Sequence, residues 1–126
     1  MRRPYTVSVL SILIVEDDED LAGLLKELFE QLGWAVQWER NGTNALLAAE
    51  GARPDVIVTD GMMPTMGGIE LLSRLRSHAT LAQVPVILMS GADVLLRSAR
   101  GAESKTATIR KPFDPDQLIA LVKAVI

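Results

Sequence analysis

Glu16-Asp17, Asp60, Ser90-Gly91 and Lys111-Pro112 each close a short run of strand-forming residues, and these four places hold the side chains best equipped for chemistry. Three carboxylates gathered at one point repel one another, and a divalent cation relieves that repulsion. Oxygen-only ligands with room for water suit Mg2+, with Mn2+ as the alternative. A carboxylate in such a setting is a nucleophile toward phosphorus and forms an acyl phosphate. Lys111 supplies a second positive charge for phosphoryl oxygens, and the Ser90 hydroxyl supplies a hydrogen bond. Phosphoryl transfer depends mainly on such positioning and charge stabilisation.

These side chains meet only if the chain brings the run ends to one edge. The run 9–15 is almost wholly apolar and rich in β-branched residues, as a strand covered on both faces would be. Leu21, Leu24, Leu25, Leu28, Phe29 and Leu32 follow at spacings of three and four, the stripe of an amphipathic helix that Gly33 stops. Val36 and Trp38 alternate with Gln37 and Glu39, which predicts a half-covered strand. Asn41-Gly42 reads as a turn before a small-residue helix at 45–50. A third strand, 55–59, ends at Asp60, and the loop 61–67 is rich in Gly, Met and Pro.

A helix at about 68–77 follows, with Ile69, Leu72 and Leu75 inward. The fourth strand is 85–89, a weaker helix is expected at 93–100, and a more polar fifth strand at 106–110. Asp114 caps the last helix, Pro115 opens it, and Leu118, Leu121, Val122 and Val125 form its stripe.

Strands alternating with helices predict an α/β fold, a parallel sheet of right-handed βαβ units. The first, third and fourth strands are apolar throughout and belong in the middle; the alternating second and polar fifth belong at the edges. That ranking fits a doubly wound five-stranded parallel sheet of order 2-1-3-4-5, the flavodoxin-like (βα)5 three-layer sandwich, which binds ligands beyond the carboxyl ends of its strands. All four chemical positions fall at that edge.

Bulk composition sets limits. A length of 126 residues with 48% hydrophobic and 23% charged residues fits one ordinary globular domain. The expected core is about 8–126, with 1–7 an N-terminal extension and no output domain within the chain. The net charge of -3 gives no electrostatic reason to bind nucleic acid or an anionic membrane directly. There are no cysteines, which excludes disulfides and thiolate zinc sites and fits a cytoplasmic location. No apolar run reaches the length of a membrane span.

With these pieces in order, the sequence resembles the receiver domain of two-component response regulators over nearly its whole length. The resemblance rests on Val15-Glu16-Asp17-Asp18, on Asp60-Gly61-Met62-Met63-Pro64-Thr65-Met66-Gly67-Gly68, on Pro85-Val86-Ile87-Leu88-Met89-Ser90-Gly91 and on Lys111-Pro112-Phe113. It implies that Asp60 is the phosphoacceptor, that Asp17 binds Mg2+ directly and Glu16 through water, and that the Met62 carbonyl is a further ligand. Ser90 stands where the family places its switching Thr or Ser, Lys111 bonds the phosphate or Asp60, and the Lys-Pro bond is often cis.

The implied partners are a histidine kinase or histidine phosphotransfer protein and a downstream protein or fused output domain, with homodimer formation left open. The domain catalyses its own phosphorylation rather than turning over a substrate. The implied output face is the fourth helix, fifth strand and fifth helix. Thr108 occupies the place of the family's usual Tyr or Phe switch, a departure that touches the long-range half of the mechanism.

Two other functions use parts of the same set. A phosphohydrolase of the haloacid dehalogenase type needs a second Asp two residues after the nucleophile, where Met62 stands. A binding module that has lost phosphorylation would not need Asp60, Asp17 and Lys111 together. Met62 and Ala92 flank the path of a hydrolytic water and neither orients it, so slow self-dephosphorylation is expected. Trp34 and Trp38 read as packing residues, and His78 as a solvated residue near a helix end.

Overall fold

The three apolar runs form the middle of one sheet. In the computed structural model, which describes residues 9–62, 66–91 and 105–126, the strands are β1 (Ser11–Val15), β2 (Ala35–Glu39), β3 (Val56–Asp60), β4 (Val86–Ser90) and β5 (Thr106–Arg110). All pair in parallel, in the order β2-β1-β3-β4-β5. β3 and β4 are buried along their whole length, whereas edge strands β2 and β5 are half-buried. A strand covered on both faces leaves no side for polar residues, so its sequence reads as unbroken apolar. The predicted helix at 93–100, residues 63–65 and Ala92 lie outside the described residues.

Successive side chains of a strand point to opposite faces, and the core divides accordingly. Leu13, Val15, Ile57 and Leu88 face α2 (Gly42–Gly51) and α3 (Gly68–Arg76), meeting Ala45, Ala49, Leu71 and Leu75. Ile12, Ile14, Val58 and Met89 face α1 (Glu19–Gln31) and α4 (Pro115–Val125), meeting Leu25, Phe29, Leu118 and Val122. Helices on both faces of the sheet make three layers.

Local signals explain where the helices begin. The Asp18 carboxylate caps α1, accepting from the amides of Asp20 at 3.0 Å and Leu21 at 3.3 Å. Asp114 caps α4 in a reciprocal box with Gln117, and Pro115 sits in the first turn. Gly33 adopts φ +87° just past α1, a conformation L side chains rarely take. α2 starts earlier than the sequence predicts: Asn41 is its N-cap, accepting from Asn44 N–H at 2.8 Å. Gly42 is thus helical rather than part of a turn, and it is buried against Met66.

The α1 stripe also differs from expectation. Leu24 and Leu32 are 48% and 42% exposed, while Ala22 is buried. Full burial falls on Ala22, Leu25 and Phe29, at i, i+3 and i+7 along one line of the helix; Leu24 lies to the side of that line, and Leu32 is the C-cap, past the last turn. Among the described residues, no helix is long and apolar enough to cross a membrane.

Candidate functional site

At the carboxyl edge of the sheet, β1 and β3 are hydrogen-bonded neighbours and end side by side, with Val15 opposite Thr59. The residues immediately after these partners therefore share one place. Glu16, Asp17 and Asp60 each offer a carboxylate oxygen, and the three oxygens lie within 4.8 Å of one another. Glu16 and Asp60 are buried and Asp17 is exposed, so the cluster opens to solvent on the Asp17 side. Asp60 Oδ1 accepts the Met62 amide at 3.1 Å. The Met62 side chain points outward, 66% exposed.

Lys111 reaches the cluster from the end of β5. Its Nζ lies 3.0 Å from Glu16 Oε1 and 3.5 Å from Asp60 Oδ2. The Lys111-Pro112 peptide is cis. Ser90 ends β4, one residue beyond Met89, the partner of Asp60, and it is buried. Its carbonyl accepts the Lys111 amide at 3.0 Å, which holds the start of the Lys111 loop against β4.

Burial is the main force on Glu16, which is 1% exposed. It pushes the carboxyl up to about 7, Asp60 adding to the push, while the Lys111 ammonium and the Asp18 amide hold it back. Burial works to lower the Lys111 amine as well. The bond to Glu16 and the charges of Glu16 and Asp60 outweigh it, so the amine is held above its ordinary value and stays charged. One lysine thus stands between two of three carboxylates, and the net charge of the pocket is negative when all are ionised. An all-oxygen, carboxylate-rich cluster open to water on one side fits a hard divalent cation such as Mg2+.

The acidic run 16–20 therefore divides by role. Asp18, Glu19 and Asp20 serve the start of α1, by capping and by favourable charge in its first turn, whereas Glu16 and Asp17 join the cluster. Close packing keeps Asp60 in place. A Cβ on Gly68 would sit 2.4 Å from the Asp60 carbonyl oxygen and 2.7 Å from Leu88 Cδ1, so the start of α3 approaches the end of β3 as only glycine allows.

The family follows from a direct match. Residues 12–123 match the family model described as response regulator receiver domain. The chain belongs to that family.

The receiver is 35% identical to the transcriptional regulatory protein YkoG of Bacillus subtilis over 116 residues, 91% of this chain and 50% of that protein. It spans about half the length of the curated relatives it matches. The signal receiver domain of a signal transduction histidine kinase from Syntrophus aciditrophicus superposes with a TM-score of 0.84 at 31% identity, covering 93% of this chain and 89% of that one. The receiver domain of a Pseudomonas aeruginosa sensor histidine kinase has the same fold, with a TM-score of 0.81 at 24% identity over 94% of this chain and 98% of that one. That structure holds a magnesium ion coordinated in its active site cleft. The family is one of signalling proteins.

Two site features escaped the sequence reading. The Trp38 indole Nε1–H donates to the Glu16 carbonyl at 2.7 Å, so Trp38 is more than a packing residue. The partner of Lys111 nearest in space is Glu16 rather than Asp60. For Trp38 the missing information is the strand register. Parallel pairing of β1 with β2 sets Trp38 opposite Ile14 and Glu39 opposite Val15, which puts the end of β2 beside Glu16. His78 is half-buried, with Nε2 3.1 Å from Glu50 Oε2, so it ties α3's end to α2. Trp34 packs as expected, stacked on Phe29 with centroids 5.4 Å apart.

Proposed function

We propose that the receiver takes a phosphoryl group on Asp60 from a histidine kinase or histidine phosphotransfer protein. The whole chain acts as one such unit, with its core at about 8–126. The observation that carries this reading is the convergence of three carboxylate oxygens within 4.8 Å, beside a lysine amine. A divalent cation, Mg2+ or Mn2+, would be held by Glu16, Asp17, Asp60 and the Met62 carbonyl, and when bound it supplies positive charge for phosphoryl oxygens.

This chain's own residues do the rest. Asp60 presents a carboxylate whose Oδ1 is oriented by the Met62 amide. An Asp60 oxygen forms the new bond to phosphorus while the donor's phosphorus–nitrogen bond breaks, and the donor imidazole leaves with the electron pair. The product is an acyl phosphate. Lys111, already 3.5 Å from Asp60 Oδ2, shifts from Glu16 toward the new phosphoryl oxygens. Ser90, at the end of the neighbouring strand, donates its hydroxyl to them.

The added charge moves Lys111 and Ser90, and through them the ends of β4 and β5. That shift biases two arrangements of the output face, of which β5 and α4 lie among the described residues. A downstream protein or fused output domain reads the face. The receiver catalyses only its own phosphorylation and dephosphorylation, and works in the cytoplasm.

Incubation with acetyl phosphate and MgCl2, followed by intact mass measurement, tests the reading. One added phosphoryl group is expected, absent in Asp60→Asn and absent with EDTA. No mass gain in the parent protein, or an equal gain in Asp60→Asn, overturns it.

A further inference from the structure

Glu16 is held by polar partners on every side. Its amide donates to the Glu39 carbonyl at 3.0 Å, and its carbonyl accepts the Trp38 indole N–H at 2.7 Å. Its carboxylate takes the Asp18 amide at 3.2 Å and Lys111 Nζ at 3.0 Å. Of these contacts, the one to the carbonyl bears on Asp17. That oxygen belongs to the peptide unit leading into Asp17, and a peptide unit moves as one plane. Fixing the oxygen fixes the direction in which the chain leaves for Asp17.

Asp17 depends on that constraint. It is exposed, and its carboxylate has no hydrogen-bond partner among the described residues. Its place in the cluster is therefore set by the main chain.

Trp38 is itself braced. The Arg40 guanidinium lies over its ring, 4.7 Å from the centroid. Arg40 in turn pairs with Glu19 in the first turn of α1. The brace runs from the end of β2 to the start of α1 and spans the loop that carries Glu16 and Asp17.

We propose that Trp38 is a positioning residue of the cation site: its indole N–H locks the Glu16–Asp17 peptide in the orientation that aims Asp17 at Asp60, and Arg40 steadies the ring. The inference rests on the reading of the acidic cluster as a Mg2+ site. Loss of an outer partner of a metal ligand typically weakens binding about 10- to 100-fold. Trp38 acts through the backbone of an open site, so about tenfold is the expected effect.

The test is Mg2+ affinity by calorimetry for the parent protein, Trp38→Phe and Trp38→His at pH 8. Phenylalanine keeps an aromatic ring and removes the donor. Histidine Nε2–H occupies the same place in a five-membered ring as indole Nε1–H. Melting in EDTA checks that each variant is folded. Trp38→Phe should bind Mg2+ about tenfold more weakly, and Trp38→His should return to within about threefold of the parent.

Equal affinity in Trp38→Phe and the parent overturns the role. So does equal weakness in folded Phe and His variants, which would point to ring packing. If the parent binds no Mg2+, the cation reading itself has failed. Should Trp38→Phe not fold, the indole N–H resonances of Trp34→Phe decide. The Trp38 signal should exchange slowly and move on Mg2+ addition, and a signal unmoved by saturating Mg2+ counts against the proposal.

Discussion

Gly68→Ala and Gly23→Ala make the same chemical change in two helices and should move stability in opposite directions. Gly23 lies within α1, and a Cβ there would meet nothing within 4 Å. Alanine should therefore gain roughly 0.5–1 kcal/mol through reduced unfolded-state freedom and better helix propensity. At Gly68 a Cβ would lie 2.4 Å from the Asp60 carbonyl oxygen, 2.7 Å from Leu88 Cδ1 and 3.0 Å from Gly61 Cα. Clearing 3.0 Å from the oxygen alone needs a displacement of at least 0.6 Å. Two of the three obstacles are main chain, and Leu88 is fully buried in the core, so none yields cheaply.

Overpacking of this kind costs about 1–3 kcal/mol, and backbone movement puts Gly68→Ala at the upper end, about 3 kcal/mol. For a chain of 126 residues, 1 kcal/mol corresponds to about 4 °C in Tm. Circular dichroism melts in EDTA should show Gly68→Ala lower by about 10 °C and Gly23→Ala higher by about 2–4 °C. Because the clash is with Asp60 itself, Gly68→Ala should also weaken Mg2+ binding by calorimetry, whereas Gly23→Ala should leave it unchanged. A Gly68→Ala protein that melts with the parent would refute the argument that α3 is seated against β3 by close contact.

Further predictions concern the site. Glu16 has a folded-state pKa near 7, above its ordinary 4.5. Without metal, its stabilising contribution is fully present below pH 4.5 and is lost as pH rises through 7, on the order of 3 kcal/mol. Urea titrations in EDTA should therefore show this stability term falling over that window and missing in Glu16→Gln; matching profiles for the two proteins would exclude it. Leu24 is 48% exposed on the wall of an open groove of about 420 Å3 shared with Leu21, Phe113 and Lys111. Leu24→Asp should slow phosphorylation by a protein donor and leave the rate with acetyl phosphate unchanged, as time courses with each donor would show. Met62 is exposed beside Asp60 and has no group to orient water, so Met62→Asn should shorten the acyl-phosphate lifetime by several-fold. A longer or equal lifetime, followed by loss of phosphoprotein after donor removal, rejects that view.

The strand order was legible because burial writes itself into a strand one residue at a time. β3 and β4 have water on neither face and carry only apolar residues and Thr before Asp60 and Ser90, while β2 alternates and β5 is polar. The helix start at Asp114 was legible because a cap is a contact between residues two or three apart, whereas the acidic run 16–20 did not show which of its residues caps α1 until the structure gave that place to Asp18. Asn41 shows the limit of such signals, since Asn before Gly suits a turn and an N-cap equally well, and only the packing of Gly42 against Met66 selects the cap.

The sequence alone thus determined the sheet, its order and the edge at which Glu16, Asp17, Asp60, Ser90 and Lys111 gather. Tertiary structure decided which of them touch. Lys111 and Glu16 are 95 residues apart, and no local pattern states that their side chains meet at 3.0 Å. It also decided that Leu24 lies at the surface, that Trp38 reaches the Glu16 carbonyl and that a Cβ at Gly68 has no room. The physical reason is that hydrophobic periodicity records whether a side chain meets water. The partner a polar atom finds depends on the register and spacing of segments distant in the chain.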